Sequence, residues 1–169
     1  MTAETITGTP AKSDPGRMLQ ARLDMVVAAL PISAWFNPGW ALVSIVPFLG
    51  FFPMFGRESA WSLIVFMGVH LFNSVLAMDL YRRYRSNPSN TQAWFWRLIG
   101  FQTLSGASWA LLPWLLWVDG NAVNNVAILV PIVAVLWSYA ASRAMHIGIY
   151  LSGVGAIAAP TLVRFVTAS

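Results

Sequence analysis

Apolar residues run through this chain in long blocks, separated by short polar or proline-bearing segments. A central block is Trp94–Trp117, WFWRLIGFQTLSGASWALLPWLLW, whose one formal charge, Arg97, lies a turn inside its start. At helical rise this stretch reaches roughly 36 Å, enough to cross a ~30 Å hydrocarbon core with some tilt. Trp94 and Trp96 mark one end, Trp114 and Trp117 the other, at the depths that amphipathic rings favour. Four further apolar spans are predicted, at about 38–55, 60–81, 123–141 and 145–166. Trp35 and Trp40 stand at the entrance of the first of these, which Pro47 and Pro53 interrupt.

The connections are short. FGRES (55–59) follows the first span, and YRRYRSNPSN (81–90) is the most basic loop. VDGNA (118–122) is a turn built from residues that tolerate positive φ. Such short links make sequential helices antiparallel neighbours. Ahead of the spans, Leu19, Leu23, Val26 and Leu30 share one helical stripe, Asp14 is a capping residue, and Pro31 ends or kinks the helix. This predicts an interfacial amphipathic helix over 17–34; the inner end of a longer, kinked first span fits the same pattern. Residues 1–16 form a polar tail with too little apolar surface to order itself. The expected fold is therefore all-α: a polytopic membrane bundle over 35–169 with about five transmembrane helices, preceded by the interfacial helix. The paired, broken segments of an inverted-repeat transporter are absent from the pattern.

Composition strengthens this picture. The chain is 57% hydrophobic and only 9% charged, against about 25% in a soluble domain, so it has too few charges to cover a water-facing globule. A net charge of +4 could point to nucleic acid, but the basic residues are spread over the connections, which reads as an orientation signal instead. With the N-terminus inside, the inner ends carry Lys12, Arg17, Arg22, Arg82, Arg83, Arg85, Arg97 and Arg143, and the outer ends only Arg57 and Arg164. The expectation is a bacterial inner membrane protein with a cytoplasmic N-terminus and, with five spans, a periplasmic C-terminus. The N-terminus has neither the apolar core of a secretory signal nor the Arg-rich character of a transit peptide. With no cysteine, disulfides, thiolate metal sites and thiol chemistry are excluded.

Polar groups within apolar spans are the first places to look for function, because each costs free energy there. His70 lies near the middle of the second span, with Asn73 and Ser74 on its face at i+3 and i+4. A midplane histidine could ligate haem or a (bacterio)chlorophyll, relay protons or bind a ligand; the plainer reading is a neutral ring hydrogen-bonded to Asn73 or a neighbouring helix. His146, with Tyr150 one turn later, is placed about one turn into the last span, roughly 9 Å from the depth of His70, which opposes ligation of one haem by both. Met67 and His70 make only half of a copper site. Gln102, Ser105 and Ser108 form a polar stripe on the central helix. Gly106–Ala110, Gly148–Ser152 and Gly155–Ala159 are small-residue pairs suited to close helix contact, with pocket lining as the other reading. Pro113, Pro131 and Pro160 should kink their helices. Asp79 is placed to pair with Arg82 or Arg83, while Arg97 can snorkel or pair with Asp79; Arg82, Arg83 and Arg85 should attract anionic lipid.

Just as informative is what the chain lacks. It contains no Walker A loop, no His-Glu-x-x-His pair, no Gly-x-Ser-x-Gly elbow, no metal-ligating cluster and no paired carboxylates within the spans. An enzyme is not expected, nor is a resident cofactor or metal.

The order of features resembles a known family. A basic loop leads into Trp96-Arg97 and then Leu104-Ser105-Gly106-x-x-Trp109-Ala110-Leu111, followed by a polar turn, a span, and a last helix with Ala159-Pro160-Thr161-Leu162. From Arg17 to Arg164 this resembles the N-terminal membrane sensor regions of bacterial diguanylate cyclases (GGDEF proteins) and sensor histidine kinases. The resemblance implies a non-catalytic sensory or anchoring module whose output domain is absent from this chain. The alternative is an accessory subunit of a larger photosynthetic or respiratory membrane complex, contacting pigment, quinone or lipid. Membrane lipids and either other subunits or a homodimer partner are the expected partners.

Overall fold

A computed structural model describes residues 15–49, 60–143 and 146–168. The tail up to Asp14, the FGRES segment with Arg57 and the end of the first predicted span, and the Arg143 side chain lie outside the described residues. Of the described residues, 91% are helical and none forms a strand. The helices are α1 (Pro15–Ala28), α2 (Leu30–Ile45, continued by a 3-10 turn over Val46–Leu49), α3 (Ala60–Ser86), α4 (Thr91–Leu116), α5 (Ala122–Arg143) and α6 (Ile147–Thr167).

Four helical stretches among the described residues are long and apolar enough to cross a membrane: Pro15–Leu49, Trp61–Ser86, Ala122–Ala141 and Ile147–Thr167. Their outward faces are apolar, with Ile32, Val75 and Trp137 at least 70% exposed. The helix predicted as the clearest span, α4, is not one of the four. It is 26 residues long, but Gln102, Thr103, Ser105 and Ser108 lower its apolarity, and it buries more of its surface inside the bundle than a lipid-facing span would. Its tightest partner is α6, and it also packs on its sequential neighbours α3 and α5.

The boundaries follow from local chemistry. Pro31 has no N–H to offer the Val27 carbonyl, so the helix breaks at Ala29 and restarts with Pro31 in its first turn. Ala29 keeps helical angles (φ −83°, ψ −14°), so α1 and α2 run on as a single stretch, as in the longer kinked first span that the pattern also allowed. Of the predicted stripe, Leu23, Val26 and Leu30 are buried and Leu19 packs against the same cluster. The YRRYR segment is helical where a loop was expected. Asp79 Oδ2 accepts from Arg83 Nε at 2.8 Å one turn apart, and Tyr84 is buried against Trp94, which carries α3 on to Ser86. Pro88 then disfavours helix at Asn87.

Asn90 caps α4 by accepting from the Ala93 N–H (3.0 Å), and Asn121 caps α5 by accepting from the Asn124 N–H (3.0 Å). Gly120, at φ +78°, makes the turn between them. Pro47 falls in the 3-10 turn, whereas Pro38, Pro113, Pro131 and Pro160 sit inside continuous helices.

Two apolar clusters stack along the bundle. One joins α1, α3, the start of α4 and Ile149; the other joins α2, Phe66, Trp109, the end of α4, α5 and Ile157. Each end is fastened by polar bonds. At the Arg-rich end, Tyr84 OH donates to Asp24 Oδ1 (2.6 Å) and accepts from Gln20 Nε2 (2.6 Å), while Thr91 Oγ1 donates to Gln20 Oε1 (2.7 Å). At the other end, the Asn125 amide exchanges two bonds with the Val118 backbone (3.0 and 3.1 Å), and the buried Asn124 donates to Leu116 O (2.8 Å). Trp94, read as an interfacial ring, is instead buried and donates to Asn87 O (2.9 Å).

The α4–α6 crossing depends on two glycines. A Cβ on Gly106 would lie 2.4 Å from Gly153 O, and one on Gly153 would lie 2.5 Å from the Tyr139 ring. Gly148 rests on Phe95 at ordinary contact, and Ala110 is buried as expected. Gly155 is a correction: it is exposed with nothing within 4 Å of an added Cβ, because Gly153, two residues earlier, faces α4. Ser152 bonds within its own helix, to Ile149 O at 2.9 Å. Gly153→Ala should therefore destabilise the fold by about 1–3 kcal/mol, the usual overpacking cost, whereas Gly155→Ala should be neutral or stabilising by about 0.5–1 kcal/mol. Thermal unfolding of both variants in detergent checks the contrast.

Candidate functional site

The polar groups singled out in the second and third predicted spans come together in one buried layer, between α3, α4 and α5. His70, Asn73, Gln102, Ser105 and Ser108 are all at most 2% exposed. Asn73 Nδ2 donates to Ser108 Oγ (2.9 Å), Ser108 Oγ donates to Ser105 O (2.7 Å), and Tyr139 OH donates to Ser105 Oγ (3.0 Å). His70 Nδ1 donates to Phe66 O at 2.9 Å, since a carbonyl only accepts; this fixes the tautomer and leaves Nε2 with its lone pair. Around the imidazole, the Phe66 and Trp109 rings lie 4.3 and 4.5 Å away, Trp109 edge-on.

The layer is incompletely paired. His70 Nε2 and Asn73 Oδ1 are acceptors without donors, while Gln102 Nε2 and Trp109 Nε1 are donors without acceptors, all of them buried. Such groups usually find a protein or water partner, and each one left alone costs about 1–3 kcal/mol.

Other predicted site residues lie elsewhere. Ser74 is half-buried and donates to His70 O (3.0 Å) within its own helix. His146 is not a turn inside the last helix; it precedes α6 as its cap residue, against Phe95 at 4.8 Å. Trp109 and Phe95 are fourteen residues apart on α4, so the two histidines are separated by about 21 Å of depth, more than the sequence spacing implied. Tyr150 is half-buried beside the second cluster. Arg97 stacks over Trp94 (4.7 Å) and not on Asp79, which pairs with Arg83. Arg82 and Arg85 are exposed.

Sequence reasoning passed over Tyr139 and Asn124. A signal was present: Asn124, Ile128, Ile132, Val135 and Tyr139 follow helical spacing, and all five are buried.

The His70 ring is wholly buried, with the Phe66 and Trp109 rings packed against it. Among the described residues no group of three His, Asp or Glu side chains could hold a metal ion. No family model, no curated protein and no solved structure matches the chain.

Two measurements probe these sites. Tyr139→Phe removes the donor to Ser105 and should cost about 1 kcal/mol in unfolding free energy. At His146, partial burial and then the charge of Arg22 lower the pKa below the usual 6.5. The unfolded chain therefore takes up this proton first as pH falls, so stability is lost below about pH 6.5 and the loss is complete below the folded pKa. His146→Phe, which keeps the ring contact with Phe95, should show a smaller loss between neutral and acidic pH when melting is compared across that range.

Proposed function

We propose that this chain is a non-catalytic membrane module that senses for, or anchors, a bacterial signalling protein. The observation that carries this reading is the incompletely paired layer in an otherwise apolar bundle. A ligand, a water or a repacked helix that pairs these groups gains hydrogen bonds the chain alone does not make, and such differential pairing is what a two-state sensor requires.

In this reading α4 is a fifth span. Its 26 residues reach about 39 Å, and it lies alongside α3 and α6. The excess of Lys and Arg at one end sets that end in the cytoplasm of the inner membrane, leaving the C-terminus outside. A second reading, an accessory subunit of a larger membrane complex, draws on the exposed Trp35, Trp61 and Trp137, each at least 75% exposed. Such rings suit a neighbouring subunit as well as lipid.

The test is to replace the layer by apolar residues in the full reading frame, combining Asn73→Leu, Gln102→Leu and Ser108→Ala. The expected result is a more heat-stable protein whose signalling output no longer responds to growth conditions. Unchanged signalling, or migration of the native protein solely within a larger complex of fixed stoichiometry, rejects the sensory reading.

A further inference from the structure

Arg82, Arg83 and Arg85 were expected to attract anionic lipid and Arg97 to snorkel or pair with Asp79, and the fold separates their roles. Arg83 is held by Asp79, and Arg97 lies over the Trp94 ring. Arg85 lines a hollow shared with Asp24 and Tyr84, whose hydroxyl donates to that carboxylate. Arg82 differs. It is exposed, no carboxylate pairs with it among the described residues, and it stands at the end of a separate groove between α2 and α3.

That groove has a volume of about 550 Å³. Trp35 and Pro38 form one wall, and Leu71, Val75 and Met78 the other, at the spacing of one helix face. Trp35 is 82% exposed and Val75 is 70% exposed, so the groove opens on the apolar surface and not into the core. From Leu71 to Arg82 it extends along eleven residues of α3, about 16 Å, close to the ~15 Å hydrocarbon depth of a single leaflet. The cation at its end thus stands at headgroup level when the apolar walls lie among acyl chains. Asp79, the one acid on the lining, already has its charge matched by Arg83.

We propose that this groove binds one acyl chain of an anionic phospholipid, with the phosphate against Arg82. Charge favours this occupant over a helix from a second copy, which would bring its apolar face to the walls and leave Arg82 without an anion. The site does not rest on the sensory reading, since it lies on the outer surface and touches the layer's neighbourhood only at Ser74.

The test places the purified full chain in phosphatidylcholine vesicles containing a minor fraction of phosphatidylglycerol. Brominated acyl chains on one lipid or the other quench Trp35, whose signal is the difference from Trp35→Phe. Brominated phosphatidylglycerol should quench that component with about a fivefold preference, the worth of one surface Arg. Arg82→Gln should abolish the preference, Val75→Phe should weaken quenching by both lipids, and Arg85→Gln should leave the preference intact. Retained preference in Arg82→Gln, or equal loss in Arg85→Gln, overturns the proposal in favour of diffuse attraction. Because the chain has no cysteine, a disulfide-linked dimer of Val75→Cys would overturn it in favour of a second copy.

Discussion

The close approach of α4 and α6 is the constraint on which the rest of the structure depends. Between helices in an apolar surrounding, water supplies no drive to associate, and packing at short range must do it. Gly106 and Gly153 let the two backbones meet where any side chain would collide with a carbonyl or with Tyr139. Once α4 is held there, its opposite faces meet α3 and α5, and Trp109, Leu112 and Leu116 are enclosed. The same approach brings Gln102, Ser105 and Ser108 inwards, so the helix that organises the bundle also carries its polar groups. A uniformly apolar helix would have met the lipid as readily as its neighbours.

Much of the fold was legible because hydrophobic blocks and turn residues act locally. All-helical architecture, the turn at Gly120 and the first stripe of buried residues all follow from short-range rules. What was not legible depended on which neighbour each helix meets. Nothing in local spacing distinguishes Gly153 from Gly155; only the partner at Gly106 does. The YRRYR segment looked like a loop because its charges are conspicuous, yet one buried Tyr84 and one Asp79–Arg83 pair extend the helix. Trp94 looked interfacial because its chain neighbours are apolar, and it is internal because α1 and α3 cover it.

The candidate layer was half legible. His70, Asn73, Gln102, Ser105 and Ser108 stood out as polar residues in apolar surroundings, and the fold gathers them. Tyr139, far along the chain, was hidden because tyrosine in a span is usually assigned to an interface. The histidines also show the limits of counting residues from helix ends. His146 begins its helix, so the pair is further apart in depth than the spacing implied.

The distribution of bonds argues that any change of state begins in the middle of the bundle. At the Arg-rich end, Gln20, Asp24, Tyr84 and Thr91 join three helices by short hydrogen bonds. At the other end, Asn124 and Asn125 tie α5 to the backbone that follows α4. Both ends are fastened by these bonds, although His146 Nδ1 at one and Arg164 Nε at the other are also buried without partners. The four buried polar atoms left without partners in the layer lie between them, on α3 and α4. Moving either end sacrifices bonds already made, whereas rotating α3 against α4 in the middle stands to gain bonds that are missing. The glycine contact limits separation of α4 from α6, which leaves the α3–α4 contact as the place where packing can differ. In the proposed sensory reading, a stimulus acts through the Asn73–Ser108 contact, where one hydrogen bond is made and an acceptor on the same amide remains open.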